Sequence, residues 1–200
     1  MSKVFNRFDE EAIRSIAERV SQLQKSRPRV LIAIDGNCCA GKTTTAGRLG
    51  SALSASVFHM DDFFLQPQMR TPERMAQPGG NVDAERFLSS VLLPVSRGET
   101  ARVRRYDCHA DALLGERLVE PLGVVIAEGT YSLHPLLAPH YDLKIFCRVS
   151  SARQLERVRA RNGEAGLKAF VERWIPLENT YFDTMGIEKI CDFIIDTTNQ

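Results

Sequence analysis

The sequence predicts an α/β fold: a three-layer α/β/α sandwich with a mainly parallel sheet, a small lid and a short β excursion. Apolar runs of strand length, such as 29–34, alternate along the chain with segments whose apolar residues recur at helical spacing, such as 9–23. Strands that alternate with helices form parallel sheets that helices cover on both faces. A length of 200 residues suits a single domain, 1–200.

The elements follow one another in a regular order. The N-terminal helix falls within 1–27, because Asp9 can cap it and Pro28 ends it. Trp174 lies on an apolar face of the last predicted helix and is expected in the core. The predicted strands are 29–34, 56–60, 102–106, 116–119, 123–128, 142–149 and 192–196, and the other predicted helices are 43–53, 83–93, 151–161 and the segment around 170–175.

Composition excludes several classes of protein. A formal net charge of +1 gives no global field that would attract nucleic acid or a membrane surface. No apolar run approaches the length of about 18 residues that crossing a bilayer requires. Five scattered cysteines without a C-x-x-C pair are typical of a reduced, cytoplasmic protein. The expected partner is therefore a small molecule, and the sequence makes no prediction of oligomeric state.

A phosphate-binding loop follows the first long predicted strand. Residues 36–43 fit the pattern G-x-x-x-x-G-K-[ST], and strand, loop and helix arrive in the order that the motif requires. Lys42 can reach the outer phosphates of a nucleotide and the Thr43 hydroxyl can bind Mg²⁺. The chain is therefore expected to bind ATP and Mg²⁺ within a P-loop NTPase fold. The predicted nucleotide-binding residues are Gly36, Asn37, Cys38, Cys39, Ala40, Gly41, Lys42, Thr43 and Thr44.

The two cysteines within this loop allow two interpretations. Cys38 and Cys39 occupy variable positions of the motif, where their small size is sufficient. The alternative is a redox-sensitive loop, which would require a lowered thiol pKa.

Acidic residues end two of the predicted strands. Glu128 follows four apolar residues, a pattern typical of a carboxylate that holds Mg²⁺ directly or through water. Asp61 is the candidate base that accepts the proton of a substrate hydroxyl, with Asp62 as the alternative. Structural alternatives are a helix cap or a solvated pair for Asp61 and Asp62, and an ordinary loop residue for Glu128.

Two further groups of residues are candidates for the site. Arg153, Arg157 and Arg161 share one stripe of a predicted helix. Arg157 and Arg161 either close over phosphates as part of a lid or lie on a solvated basic face, which is the interpretation for Arg153. Tyr106, Asp107 and His109 form a polar cluster that either contacts a ring-bearing substrate or is structural.

The motifs together resemble the uridine kinase group of P-loop kinases, which includes phosphoribulokinase-like and pantothenate kinase-like enzymes. The resemblance covers about residues 29–196 and rests on four features. They are the phosphate loop, the strand ending in Met-Asp-Asp-Phe-Phe at 60–64, Glu128-Gly129, and the arginine-rich helix.

The resemblance implies residue roles. Asp61 would be the general base, with Phe64 in the place of a family tyrosine, and Glu128 would have a Mg²⁺ role. Asp83 would contact the ribose or substrate, and Tyr106 and His109 would stand near the nucleoside. On this interpretation 62–120 is an acceptor-binding insertion and 157–175 is a lid region. The family's Arg-Gly-Arg lid sequence is absent, and Asn162-Gly163-Glu164 stands near its place.

The expected activity is ATP-dependent phosphorylation of a hydroxyl on a small molecule, with a nucleoside such as uridine or cytidine implied by the resemblance. The first alternative is a kinase for another small alcohol, such as pantothenate, a sugar phosphate or a different nucleoside. The second is a non-catalytic nucleotide-dependent switch, although the Asn-Lys-x-Asp motif that reads guanine is absent from the sequence.

Overall fold

A computed structural model describes residues 2–200, which fold around a six-stranded sheet in the order β1-β8-β7-β2-β6-β3. All neighbouring strands of this sheet are parallel. The α/β/α prediction is confirmed, with a sheet that is entirely parallel. The strands are β1 (Lys3–Phe5), β2 (Val30–Gly36), β3 (Ser56–His59), β4 (Ala101–Asp107), β5 (Ala112–Val119), β6 (Val124–Glu128), β7 (Leu143–Arg148) and β8 (Phe193–Asp196).

Helices cover both faces of the sheet because the side chains of its strands alternate. On β2, Val30 and Ile32 pack into one core with the N-terminal helix, whereas Leu31 and Ala33 pack into the other core with the insertion and the C-terminal helices. The α-helices are α1 (Glu10–Gln24), α2 (Lys42–Leu53), α3 (Pro72–Met75), α4 (Ala84–Phe87), α5 (Leu93–Arg97), α6 (Ser151–Ala169) and α7 (Ile175–Met185).

Shorter helical turns complete the chain. The π-helical turn Leu88–Leu92 joins α4 to α5, and a second one, Phe170–Trp174, joins α6 to α7. The 3-10 turns are Met60–Phe63, Pro67–Met69, Ala138–His140 and Ile187–Ile190.

Strand β1 lies at the edge of the sheet, paired with β8, within the segment 1–27 for which only a helix was predicted. Three residues are too few to show the alternation by which a strand is recognised. Helix α1 then begins after Asp9, whose carboxylate accepts hydrogen bonds from the amides of Glu11 and Ala12.

The predicted β excursion is an antiparallel hairpin of β4 and β5, which forms a second, two-stranded sheet. Within the predicted insertion, 62–120, it follows α3, α4 and α5. The segment 65–82, which leads into these helices, contains the 3-10 turn Pro67–Met69 and the short helix α3.

The predicted lid region begins within α6, which is interrupted at Gly163 (φ 69°, ψ −176°). Gly166 lies in the part of α6 that continues after this interruption. A Cβ atom at that position would lie 2.4 Å from the Cβ of Asn162, so close packing is what requires a glycine there. None of the helices in residues 2–200 combines the length and the apolar character that crossing a bilayer requires.

Candidate active site

The phosphate loop connects β2 to α2 at the carboxyl edge of the parallel sheet, where ligands of such sheets bind. Gly36 has φ 137°, and a Cβ atom there would lie 1.9 Å from the carbonyl oxygen of Cys147. Gly41 has φ 83°, a left-handed conformation that glycine adopts without strain. The two fixed glycines of the motif are therefore required by the backbone.

The amides at the start of α2 point into an open cavity. Within residues 2–200, no acceptor pairs with the amides of Gly41, Lys42, Thr43 and Thr44. The Lys42 ammonium donates to the carbonyl oxygens of Gly36 and Asn37, at 2.8 Å each. Free amides at a helix N-terminus with an adjacent cation fit the phosphates of a nucleotide.

Asp35 anchors the loop from beneath. It is fully buried, and its carboxylate accepts hydrogen bonds from the amides of Gly36 (2.7 Å), Tyr131 (3.1 Å) and Leu133 (2.9 Å) and from the Tyr181 hydroxyl (2.8 Å). Desolvation raises the pKa of Asp35, and these hydrogen bonds oppose that rise. Asp35 thus fixes the phosphate loop to the loop that follows β6.

The backbone of Cys38 is hydrogen-bonded to one side chain that precedes the predicted lid region in sequence and to one that follows it. Its amide donates to Glu178 Oε2 (2.9 Å) on α7, and its carbonyl oxygen accepts from Gln154 Nε2 (3.2 Å) on α6. Burial, together with the charge of Glu178, raises the pKa of the Cys38 thiol to about 12, and burial also raises that of Cys39. A redox-sensitive loop would need lowered thiol pKa values, so these directions argue against it.

Thr43 and Glu128 lie together, as a metal site would require. The Thr43 hydroxyl lies 3.2 and 3.3 Å from the two carboxylate oxygens of Glu128. His59 is opposite Glu128 in the β3–β6 register, and its Nδ1 lies 2.5 Å from Glu128 Oε1. That hydrogen bond is the largest cause of a raised His59 pKa. A hydroxyl and a carboxylate fit Mg²⁺, which keeps several waters and uses substrate phosphates as ligands.

Asp61 follows β3 in the turn Met60–Phe63 and lines the same cavity as Lys42. Its carboxylate is accessible from the cavity, although protein surrounds it on the other sides. Desolvation therefore raises its pKa, while the charge of Lys42 lowers it and that of Glu128 raises it further. Asp62 does not line the cavity, and its Oδ1 lies 3.9 Å from Nε of Arg105. Of the two candidate bases, Asp61 is the one that faces the phosphate loop.

The cavity has a volume of about 970 Å³ and two ends, with Asp61 between them. We call the part lined by the phosphate loop, α2 and the C-terminal segment the nucleotide end. The part beside the insertion and the turn Phe170–Trp174 is the acceptor end. The nucleotide end is lined by Phe8, Thr45, Arg48, Arg157, Thr197 and Gln200, and the acceptor end by Phe64, Leu65, Arg70, Met75, Asn81, Cys108, Tyr131, Phe170, Arg173 and Trp174.

Solved structures with the same architecture are described as kinases. A protein described as a possible uridine kinase from Bacillus stearothermophilus has a TM-score of 0.65 and 21% identity, over 91% of this chain and 100% of that one. A provisionally named fructose transport system kinase from Silicibacter sp. TM1040 has a TM-score of 0.66 and 23% identity, over 90% of this chain and 98% of that one. The chain has the fold of the uridine kinase-like P-loop kinases.

The same P-loop kinase fold extends to more distant sequences. YFH7 from Saccharomyces cerevisiae, provisionally described as a P-loop containing kinase with a circular permutation, has a TM-score of 0.66 at 14% identity, over 94% of this chain and 99% of that one. No family model matches the sequence, and no curated protein is significantly similar to it.

Within this P-loop kinase fold, the two candidate lid arginines have different surroundings. Arg157 is half-buried and donates to the carbonyl oxygen of Cys39 (3.0 Å), the carbonyl oxygen of Thr197 (2.6 Å) and that of Gln200 (3.0 Å). Arg161 is exposed, donates to Asn162 and to no other group within residues 2–200, and is close enough to Asp61 to influence its pKa. Arg157 thus ties the phosphate loop to the C-terminal segment, whereas Arg161 is free to meet a ligand.

Three residues that the resemblance assigned to the substrate do not reach the cavity of this kinase fold. Asp83 is buried, caps α4 and pairs with Arg86 at 3.0 Å. Tyr106 is buried in β4, where its hydroxyl bonds to Asp111 and Arg70. His109 is exposed in the turn of the hairpin. Sequence order alone could not show that the insertion directs Asp83 and Tyr106 into its own core.

Phe64 lines the acceptor end, as the resemblance implied. Other residues line the cavity although the sequence did not indicate them. Trp174 was expected in the core, and this prediction is wrong, because Trp174 lines the acceptor end. An apolar helical face looks the same whether it packs into a core or lines a cavity. Arg70 lies in a loop without periodicity, and Arg173 lies in the irregular turn beside Trp174, so neither carried a signal.

Proposed function

We propose that this protein binds ATP with Mg²⁺ and transfers the terminal phosphoryl group to a hydroxyl of a small molecule. One observation carries the proposal. The amides of a phosphate loop, Lys42 and the carboxylate of Asp61 line one cavity, and Lys42 is close enough to Asp61 to influence its pKa. Phosphoryl transfer requires little more than an aligned hydroxyl and positive charge around the moving group.

The residues of the nucleotide end would hold the triphosphate. Lys42 would exchange its present contacts with Gly36 and Asn37 for phosphate oxygens, and the amides of Gly41 to Thr44 would donate to the phosphates. Thr43 and Glu128 would hold Mg²⁺. When bound, the metal neutralises charge on the phosphate oxygens.

Asp61 would align the acceptor hydroxyl and take its proton as the oxygen attacks the terminal phosphorus and the bond to ADP breaks. A carboxylate with a raised pKa is a stronger base than one in water, and desolvation raises that of Asp61. Arg161 would stabilise charge on the transferring group, as an exposed arginine beside Asp61 can do. Arg157 would act on catalysis by fixing the Cys39 carbonyl group of the phosphate loop.

For the acceptor, the first candidate is a nucleoside such as uridine or cytidine. The aromatic side chains of Phe64, Phe170 and Trp174 support a ring-bearing acceptor, because bases stack on such surfaces. The second candidate is another small alcohol, such as pantothenate or a sugar phosphate. Arg70 and Arg173 at the acceptor end favour it.

The test is ADP release from Mg-ATP in the presence of a panel of alcohols, with Asp61→Asn compared with its neighbour Asp62→Asn. We expect at least one acceptor to stimulate ADP release, with turnover lost in Asp61→Asn and retained in Asp62→Asn. Tight nucleotide retention with no stimulation by any alcohol would instead favour a nucleotide-dependent switch.

We further infer a small-molecule substrate rather than nucleic acid or a membrane, and a cytoplasmic location. The net charge of +1 supports the first inference. The five cysteines, none of them in a disulfide, support a reducing compartment.

A further inference from the structure

Arg70 is held in a fixed orientation at the acceptor end. Its Nε and Nη2 donate to the carbonyl oxygen of Leu65 at 3.0 and 2.9 Å, and Nη2 also donates to the Tyr106 hydroxyl (2.5 Å) and to Asp111 Oδ1 (3.0 Å). Nη1 has no acceptor within residues 2–200. A guanidinium group fixed on one side and free on the other is prepared to bind an anion with little further loss of side-chain entropy.

The charge of Arg70 is only partly neutralised. Its one carboxylate partner in the described chain, 2–200, is Asp111, which has a half-exposed side chain and whose Oδ1 also accepts a hydrogen bond from the Tyr106 hydroxyl. Exposed ion pairs of this kind are worth little, because water screens both charges. An anionic ligand in the cavity would therefore meet a positive group whose charge is only partly neutralised.

A second arginine, this one without a carboxylate partner in residues 2–200, lines the same cavity. The guanidinium group of Arg173 lies over the Trp174 ring, 4.5 Å from its centroid. No carboxylate in residues 2–200 forms a salt bridge with it. Both residues belong to the π-helical turn Phe170–Trp174, a distortion that is frequent at functional sites.

Acidic side chains at this end do not balance the two arginines. Asp61 is already assigned to the acceptor hydroxyl, and Glu178 accepts the amide of Cys38 beneath the phosphate loop. Arg173 has no carboxylate partner in residues 2–200 and that of Arg70 is half-exposed, so the two arginines favour a ligand with a carboxylate or phosphate group, which their planar donors bind well.

Resting on the proposed function, we propose that the acceptor is a small alcohol that carries an anionic group, a carboxylate or a phosphate, bound by Arg70 and Arg173 away from the hydroxyl that faces Asp61. The buried Tyr106 is then a positioning residue for Arg70. The aromatic surface of Trp174 would cover the part of the acceptor that joins the two polar groups.

Trp174 provides the measurement, because it is the only tryptophan of the chain and lines the acceptor end. Its fluorescence is titrated with matched alcohols that differ in one anionic group. Pantothenate and panthenol test a carboxylate, ribose 5-phosphate and ribose test a phosphate, and uridine is the neutral ring-bearing probe. The same titrations use Arg70→Gln, Arg173→Gln and, as a control, Arg102→Gln, an exposed arginine of β4 outside the cavity.

We expect the anionic member of at least one pair to bind at least tenfold more tightly than its neutral partner. That preference should fall at least tenfold in Arg70→Gln and in Arg173→Gln and persist in Arg102→Gln. Arg173 is exposed and has no salt-bridge partner in residues 2–200, so Arg173→Gln should fold normally. It therefore still tests the proposal if Arg70→Gln does not fold. The pair that shows the preference distinguishes carboxylate from phosphate.

Equal or tighter binding of the neutral probes, no binding of any anionic member at millimolar concentration, or a preference that survives both substitutions would overturn the proposal. Turnover separates this failure from that of the proposed function. Phosphorylation of neutral alcohols alone would leave the kinase activity standing and remove the anionic acceptor. Anion binding without phosphorylation of any alcohol would remove the kinase activity.

Discussion

The two ends of the cavity are built by different means. The nucleotide end depends on backbone: free amides at the start of α2, two glycines that the chain path requires, and the buried anchor Asp35. The acceptor end depends on side chains from separate segments, including Phe64, Arg70 and Trp174. A backbone cradle binds the phosphates that all nucleotides share, whereas a side-chain surface can change its ligand through single substitutions.

The largest effect should come from Asp61, which stands between the two ends. Asp61→Asn should lower kcat by about 10²–10⁴, the usual contribution of general acid–base catalysis. ATP binding should persist, because the phosphate loop is unchanged. Comparable loss of ATP affinity, measured by equilibrium titration, would contradict the separation of roles.

The raised pKa of Asp61 also predicts two pH effects. The first concerns catalysis. As the pH is lowered, kcat/KM should fall with a midpoint above 3.8, the ordinary pKa of an aspartate, because the free enzyme must carry Asp61 in its ionised form.

The second effect concerns stability. The folded state binds a proton at Asp61 more tightly than the unfolded state does, so this residue's contribution to stability declines as pH rises from 3.8 through the raised pKa. Asp61→Asn should therefore raise the melting temperature at neutral pH, and an unchanged or lower value would argue against a desolvated carboxylate.

Lys42→Ala should damage both binding and turnover, by about 10²–10³ in kcat/KM, as expected for a preorganised charge at the transferring group. The matched control is Lys25→Ala, a residue at the C-terminal end of α1, outside the cavity. Steady-state kinetics with Mg-ATP measures both. Loss of acceptor affinity alone in Lys42→Ala would place this lysine at the wrong end of the cavity.

A smaller effect should come from Glu178, which joins the helix after the lid region to the phosphate loop. Glu178→Ala leaves the buried Cys38 amide without its acceptor, at a cost of about 1–3 kcal/mol. We expect weaker ATP binding, whereas Glu178→Gln keeps an acceptor oxygen and should lose less. Glu188→Ala, which removes an exposed partner of Arg148, is the control. Equal losses in Glu178→Gln and Glu178→Ala would show that charge, not the hydrogen bond, is what matters.

The smallest effect on activity should follow substitution of Asp83. Because Asp83 caps α4 and pairs with the partly buried Arg86 outside the cavity, Asp83→Ala should lower the free energy of unfolding, by about 1–3 kcal/mol. The KM of the acceptor should stay unchanged in the folded variant. A raised acceptor KM with normal stability would restore the substrate contact that the resemblance implied.

The contrast between the two ends also explains what could be predicted from the sequence. The phosphate loop and most strands of the large sheet were predicted, because local patterns specify them. His59 was missed, since only the β3–β6 register brings it to Glu128, 69 residues away along the chain. Asp35 gave no signal as an anchor because its partners lie in distant loops, and Arg70 owes its orientation to contacts with Tyr106 and Asp111 that no periodicity predicts.

A crystal structure with Mg²⁺ and a non-hydrolysable ATP analogue tests the central claim most directly. We expect the triphosphate against the amides of residues 41–44, the Lys42 ammonium moved from Gly36 and Asn37 to a phosphate oxygen, and the Asp61 carboxylate facing the terminal phosphate. A nucleotide bound elsewhere, or an Asp61 side chain turned away from that phosphate, would contradict the account.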